Sequence, residues 1–203
     1  FVGTNAYESD LGNSEGGLMI IGLQNVIGPA NVVSLNDGPG IYLAASTQNR
    51  VFGNYIGTDG GATEDLGNKT YGIRLSDAAS HNTIGGDEVS ERNIIAHNSH
   101  GVYITGTGTD DNVVAGNYIG TDGSNDMGNT WAGVVVTAGA QGNTIGGSAP
   151  GEGNVISGNG FGVLISGAGT TGNAVVGNDI GPTAGGASGL GNSLDGVVID
   201  TGA

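Results

Sequence analysis

The sequence predicts an all-β fold: a right-handed, single-stranded parallel β-helix (β-solenoid) of about six to seven coils, with three short strands per coil. Three observations predict it. Residues 72–120 recur at 133–181 with a constant offset of 61 residues and no gap. Glycine followed by alternating apolar residues marks one strand of every coil. Asparagine opens each of the other two strands, at the same place in successive coils.

The first strand of each coil is predicted from a glycine followed by three mostly apolar residues. Side chains alternate across a strand, so the second and fourth residues of this element face inward and the third faces outward. The predicted first strands are residues 17–20, 40–43, 72–75, 101–104, 133–136, 162–165 and 196–199.

The second and third strands each begin with asparagine, which tolerates left-handed backbone and therefore suits a tight corner. Stacked coils would place these asparagines in ladders. A two-layer sandwich is the alternative, but sandwiches do not carry a long gapless repeat with asparagine at the same corners. The predicted second strands are residues 25–27, 49–51, 82–84, 112–114, 143–145 and 173–175, and the third strands are 31–33, 54–56, 93–95, 117–119, 154–156 and 178–180.

Two coils form one repeat unit because the long loops alternate between two corners. In one coil the loop lies between strands two and three, and in the next it follows strand three. We expect the loops that follow strand three to stack on one flank and to tolerate variation. They comprise residues 3–13, 57–68, 120–129 and 181–192.

The composition limits the function classes. The 203 residues include 44 Gly and no Cys, and the net charge of −15 sets 19 acidic residues against four basic ones. The negative electrostatic field of such a chain repels phosphate backbones, so we expect no nucleic-acid partner. No stretch is apolar over the length of a membrane span, so we expect no membrane insertion. Neither end carries a recognisable polar cap, which predicts one β-helix domain over residues 1–203 that is a piece of a longer array.

Several short sequence motifs resemble those of the right-handed parallel β-helix repeat proteins of the pectate-lyase-like superfamily. They are G-N-Y-I-G-T-D followed by L-G-N or M-G-N (53–68 and 116–129), then N-T-I-G-G, then N-V-I-S-G-N (154–159). The chain looks like the repeat arrays of large bacterial proteins, which implies a secreted or cell-surface location. The superfamily includes polysaccharide lyases and hydrolases as well as non-catalytic adhesins and stalks, so the resemblance does not carry one activity with it.

A cation site is one candidate, because acidic and amide side chains recur in the loops that follow strand three. Calcium takes about six to eight oxygen ligands, which such loops could supply. A solvated acidic rim is the alternative, since loop 181–192 has no acidic residue. We expect no required cofactor, with calcium as the possible ion. The candidate ligands are Asp59, Asp65, Asp122 and Asp126, with Glu8, Asp10, Asn13, Glu64, Asn68 and Asn129 beside them.

The outward row of the first strands is a second candidate. Tyr42, Arg74 and Tyr103 could stack on sugars and bond to their hydroxyls. The rest of the row is apolar, which favours a face buried under another protein or chain over a sugar cleft. The row is Met19, Tyr42, Arg74, Tyr103, Val135, Leu164 and Val198.

Catalysis is the third candidate. The pair Asp110-Asp111 near His100 resembles the acids and His-Gly of polygalacturonase-type hydrolases. However, their order is reversed, and the repeat copy has Thr171-Gly172 at the place of the pair. His81, His97 and His100 do not match one another in corner and coil, so they do not predict a metal cluster. The sequence therefore favours a non-catalytic module, a rigid spacer or adhesive surface, and leaves a carbohydrate-binding or carbohydrate-active β-helix as the alternative.

Overall fold

The computed structural model describes residues 1–5, 10–200 and 202–203 as one solenoid of three parallel sheets. Consecutive strands of each sheet come from consecutive coils, so the chain winds around an axis that crosses all the strands. The first sheet has seven strands: Leu18–Ile20, Ile41–Ala44, Tyr71–Ser76, His100–Thr105, Ala132–Thr137, Phe161–Ser166 and Val197–Ile199. The predicted right-handed parallel β-helix of six to seven coils is confirmed.

The second and third sheets have six strands each. Their opening asparagines lie just before the strands, at the corners, rather than inside them. The second sheet comprises Val26–Ile27, Arg50–Val51, Thr83–Gly85, Val113–Ala115, Thr144–Gly146 and Ala174–Val176, and the third Val32–Val33, Tyr55–Ile56, Ile94–Ile95, Tyr118–Ile119, Val155–Ile156 and Asp179–Ile180.

The core is a column of small branched side chains. Each coil contributes inward residues from all three sheets, and in the central coils these are fully buried. One such coil contributes Ile73, Leu75, Ile84 and Ile95, each with no exposed surface. Because coils stack in register, each side chain packs on the equivalent side chain of the next coil, which buries apolar area without large aromatics.

Three asparagine ladders run along the corners of the solenoid. In each ladder, Nδ2 of one asparagine donates to Oδ1 of its counterpart in the next coil, over 2.8–3.2 Å. Central members are buried and satisfy backbone groups at the corners that no sheet bond reaches. The ladders comprise Asn25, Asn49, Asn82, Asn112, Asn143 and Asn173; Asn31, Asn54, Asn93, Asn117, Asn154 and Asn178; and Asn13, Asn36, Asn68, Asn98, Asn129, Asn159 and Asn192.

In the central coils, the glycine of the first-strand element lies at a corner that has no room for a side chain. A Cβ on Gly72 would lie 2.6 Å from Cγ2 of Ile95, and one on Gly101 would lie 2.7 Å from Cγ2 of Ile119. Either contact would force the core apart. The glycine in the sequence element is therefore a packing requirement.

Short turns of 3-10 helix, Val89–Glu91 and Ala184–Gly186, lie in the long loops. In the part of the chain that the structure describes, no helix has the length and apolar character to cross a membrane.

We expect Ile145→Asp to unfold the solenoid and Thr144→Asp to leave it folded. Ile145 is completely buried in the second sheet, whereas its neighbour Thr144 points outward. An unpaired carboxylate in the core costs more than about 4 kcal/mol. Circular dichroism at 218 nm would compare the two variants. Equal loss of signal in both would contradict the inward assignment.

We expect Asn112→Ala to lower the free energy of unfolding by roughly 2 to 4 kcal/mol, because it leaves buried polar groups on both sides without a hydrogen-bond partner. Asn112 Oδ1 accepts from Asn82 Nδ2 at 2.9 Å, and its Nδ2 donates to Asn143 Oδ1 at 2.9 Å. Urea denaturation would measure the change. The control is Asn25→Ala, an exposed member of the same ladder, and a loss as large as that of Asn112→Ala would contradict the ladder's role.

Candidate functional site

The outward row of the first sheet brings together the three residues predicted for a ligand or partner face. Cα register places Tyr42 opposite Arg74 and Arg74 opposite Tyr103, in three successive coils. Met19 precedes this group and is 62% exposed. Val135 follows it and is already buried.

The centre of this face is a cluster of aromatic rings around one arginine. The guanidinium carbon of Arg74 lies 4.9 Å from the ring centroid of Tyr42 and 5.7 Å from that of Tyr71. Tyr71 packs against Tyr103 at 4.6 Å, and His100 lies 5.3 Å from both tyrosines. Nε of Arg74 is buried and has no hydrogen-bond partner among the described residues. Cation–π contacts therefore hold this arginine where a salt bridge would be expected.

Hydrogen bonds fix the tyrosine at one edge of the cluster. The Tyr42 hydroxyl bonds to Ser76 Oγ at 2.7 Å and donates a short bond to Asp77. Burial and the bond to Asp77 raise the pKa of Tyr42, and burial with the neighbouring Tyr71 raises that of Tyr103. Burial lowers the pKa of His100. These groups are therefore uncharged near neutral pH.

Sequence reasoning missed Tyr71 as a member of this face and placed His100 in a catalytic candidate instead. Both precede the strand glycine, a position that the four-residue element omits. The structure extends the central first strands back to this position, and its side chains lie beside the outward row. The same position holds Phe161, whose ring meets that of the half-exposed Trp131 edge-on at 5.7 Å.

The four predicted cation ligands do not converge. Asp59 accepts bonds from the backbone N–H groups of Gly61, Thr63 and Glu64 in its own loop. Asp122 does the same within the next loop, with Ser124 and Asn125. Asp65 accepts from Gly67 N at 3.3 Å, and Asp126 from Gly128 N at 3.1 Å. Each carboxylate therefore closes a local turn.

The asparagines proposed beside these acids have another role. Asn68 and Asn129 are buried members of a ladder, and Asn13 donates to Asn36 in the same ladder. Glu8 lies outside the described residues. Within the described ranges, no three His, Cys, Asp or Glu side chains form a group that could hold a metal ion.

The bonds to Asp59 perturb its titration. Partial burial alone would raise its pKa, but the backbone donors of Thr63, Glu64 and Gly61 outweigh burial and lower it to about 2. Burial opposes the shift at Asp122 too, where bonds from Asn125 and Ser124 lower the pKa.

The groups weighed as a catalytic candidate lie at different places in the coil. His100 begins a first-sheet strand, whereas Asp110 and Asp111 lie beyond the end of that strand. Asp110 accepts a bond from Gln141 N at 2.7 Å, and Asp111 lies 3.7 Å from His81. The two aspartates thus make local contacts at the corner between the first and second sheets.

Fold and site together define a parallel β-helix repeat protein with a packed aromatic face and loops closed by acidic residues. Residues 8–155 match the family described as periplasmic copper-binding protein (NosD), and the chain belongs to this family. No curated protein and no solved structure gave a significant match to the chain.

The family match corrects the cofactor expectation. The expectation of no required cofactor, with calcium as the possible ion, was wrong, because the metal that the family's description names is copper. Copper is bound by cysteine, methionine and histidine side chains. The chain has no cysteine, three histidines and two methionines.

These potential copper ligands do not fit a copper site in the described part of the chain. His81 and His97 occupy different corners, near Asp111 and Asp65 respectively, and His100 packs among tyrosines. Met127 is buried in a loop, far along the chain from the exposed Met19. The described residues therefore supply no set of converging copper ligands.

We expect Asp59→Asn to lower the melting temperature at neutral pH and to lose this effect in acid. Because the pKa of Asp59 is lowered on folding, its carboxylate stabilises the fold above about pH 4, and the contribution disappears as pH falls toward about 2. Thermal melts of wild type and Asp59→Asn from neutral pH down to about pH 2 would measure the difference in melting temperature. Asp126→Asn, which removes a carboxylate with one backbone bond, is the control. A difference between wild type and Asp59→Asn that does not change with pH would contradict the assignment.

Proposed function

We propose that the chain is a non-catalytic, exported bacterial β-helix module, a rigid spacer whose first-strand face docks a partner protein. The observation that carries this proposal is the aromatic cluster around Arg74, which is tightly packed yet lies on the outside of the solenoid. The periplasm named in the family's description supports export. The kinship to pectate-lyase-like repeat arrays, implied by the sequence motifs, supports a place in a longer array.

Rigidity follows from the way the coils are joined. Each boundary between two complete coils carries bonds in three sheets and in the asparagine ladders. Bending the solenoid would break these bonds together. A module of this kind holds its faces at a fixed spacing.

The composition of the first-strand face supports a protein partner. Tyrosine, tryptophan, methionine and arginine are enriched at the centres of protein interfaces, where they bury large areas. Trp131 is half exposed and Met19 more so, and Arg74 makes no ion pair among the described residues.

A sugar cleft on this face is less well supported. The ring of Tyr71 packs on Tyr103, and Arg74 covers Tyr42 and Tyr71, so neighbouring side chains already occupy the rings on which a sugar would stack. The Tyr42 hydroxyl is committed to Ser76 and Asp77. A pre-packed patch of this kind suits a broad partner surface.

The positions of the candidate catalytic groups support a non-catalytic role. Acid–base catalysis requires groups within hydrogen-bond reach of one reacting atom. Asp110 and Asp111 make their contacts at a corner, and partial burial in the tyrosine cluster lowers the pKa of His100.

We expect a photo-crosslinking amino acid at Leu164 to form an adduct of discrete mass with a partner protein in the producing cell. Leu164 lies on the outward row, next to Val135 in register. Arg74→Gln combined with Tyr103→Ala should reduce the adduct by roughly tenfold, because both residues belong to the proposed interface centre. Immunoblotting would measure the yield.

The matched control carries the same crosslinker at Ser124, an exposed loop position on another flank. Equal adducts at both positions, or none at Leu164, would contradict the docking face. Release of reducing ends from a polysaccharide by the purified chain would contradict the non-catalytic role.

A further inference from the structure

Two tyrosine rings on the first sheet lie in closer contact than any other aromatic pair in the described part of the chain. The ring centroids of Tyr71 and Tyr103 are 4.6 Å apart, and the ring planes are inclined by 38°. The other ring contacts are wider, at 5.3 to 5.7 Å, and none of them joins two tyrosines. Within the described ranges, this is therefore the one place where two phenol rings touch.

The two rings belong to different coils. Tyr71 begins the strand Tyr71–Ser76, and Tyr103 lies in the neighbouring strand His100–Thr105. Parallel pairing fixes their relative position, because His100 lies opposite Tyr71 and Tyr103 lies opposite Arg74. A covalent bond between the two rings would therefore join successive coils across the first sheet.

Neighbouring side chains hold the pair in place. The guanidinium carbon of Arg74 lies 5.7 Å from the ring centroid of Tyr71. The imidazole of His100 lies 5.3 Å from both tyrosine rings and is edge-on to Tyr103. Both tyrosines are nevertheless partly exposed. The pair is thus ordered by its surroundings and still open to an oxidant in solution.

Paired phenols have a characteristic oxidation. Loss of one electron and the hydroxyl proton converts a tyrosine into a neutral radical, whose unpaired spin is shared by the oxygen and the two ortho carbons. When two such radicals touch, one ortho carbon of each forms a carbon–carbon bond. Each bonded carbon then releases its hydrogen as a proton, and each oxygen takes up a proton, which restores both phenols. The net loss is two protons and two electrons, which reduce one hydrogen peroxide to two waters.

The position of the rings decides whether this coupling occurs within one molecule. Holding two reactants in contact turns a bimolecular step into a unimolecular one and raises the effective concentration by orders of magnitude. Tyr42, Tyr55 and Tyr118 have no tyrosine ring against them among the described residues. Radicals on those side chains couple only with a tyrosine of another molecule, whereas Tyr71 and Tyr103 couple within the chain even in dilute solution.

A bond at this position would supply a crosslink that the chain otherwise lacks. Exported proteins are commonly stabilised by disulfides, and this chain has no cysteine. A crosslink restricts the unfolded chain by closing a loop, and its effect increases with the length of that loop. The segment between Tyr71 and Tyr103 contains strands of all three sheets, so the closed loop is a whole coil.

We infer that Tyr71 and Tyr103 form an oxidative modification site, at which a one-electron oxidant of the haem-peroxidase class, with hydrogen peroxide, joins adjacent coils through a dityrosine bond. The inference concerns these two side chains and does not depend on the docking of a partner protein, which the crosslinker at Leu164 tests separately.

Oxidation of the purified chain in dilute solution with a haem peroxidase and hydrogen peroxide would test the site. We expect a monomer that is lighter by two hydrogen atoms and shows dityrosine fluorescence. Trypsin followed by a protease that cleaves after aspartate should release residues 70–74 and 93–110 as one linked product. The crosslinked monomer should melt at a temperature higher by roughly 5 °C or more than the untreated chain.

Tyr71→Phe and Tyr103→Phe each keep a ring of the same shape but remove the phenol, so each should abolish the intramolecular product. The matched control is Tyr118→Phe, which makes the same change at a partly exposed tyrosine that also packs against an arginine, and it should retain the product. Circular dichroism checks the fold of each variant, and the peptide map of wild type carries the test if a variant fails to fold.

Three results would overturn the inference. The first is oxidation that yields only bonds between molecules, or a linked wild-type product that lacks either Tyr71 or Tyr103. The second is loss of the intramolecular product in Tyr118→Phe to the same extent as in Tyr103→Phe. The third is a crosslinked monomer that melts no higher than the untreated chain, because a bond between successive coils must restrict the unfolded state.

Discussion

Side-chain amide bonds between equivalent asparagines are the interaction on which the rest of this structure depends. A coil of three short strands must turn three corners, and at each corner backbone groups leave the sheets without a partner. A buried asparagine satisfies these groups: Asn112 accepts from the backbone N–H and side chain of Asn82 and donates to the carbonyl of Ala79. Because its partner is the same residue one coil away, every coil must have the same cross-section. The exact stacking of Ile and Val in the core, and the rows of outward residues on the sheet faces, follow from that requirement.

Much of the fold could be predicted because this constraint appears directly in the sequence. Strand positions, coil number and the inward residues followed from glycine and asparagine spacing, and Ile145 lies where alternation places it. One ladder was not recognised. Asn68 and Asn129 stand in L-G-N and M-G-N words at the ends of acidic loops, so their amides were assigned to a cation site when they are buried structural bonds. Composition alone cannot distinguish a carboxylate that closes its own loop, as Asp59 does, from one that faces a ligand.

The faces were harder to predict than the coil. Outward residues of the first strand could be named in advance, but whether their rings would be open or covered depended on Tyr71 and His100, which precede the strand glycine. The arrangement of the loops around the third sheet could not be derived at all from strand patterns. It requires loops from nonadjacent coils to stand on both sides of one sheet, and it requires Arg92, from one of those loops, to lie on Tyr118 of the following coil. Contacts between these loops and the third sheet follow from three-dimensional stacking, whereas spacing in the sequence indicates only the coil.

The asparagine ladders also give the solenoid an electric dipole along its axis. In every rung the nitrogen belongs to the coil nearer the N-terminus and the oxygen to the coil nearer the C-terminus, as from Asn49 to Asn82 and from Asn82 to Asn112. The amide dipoles of three ladders therefore add along the axis, with their negative ends toward the first coils and their positive ends toward the last. Aligned bonds polarise one another, so each coil joined to the stack strengthens the rungs already present. The sense of this dipole is opposite to that of an α-helix, in which the N-terminal end is positive.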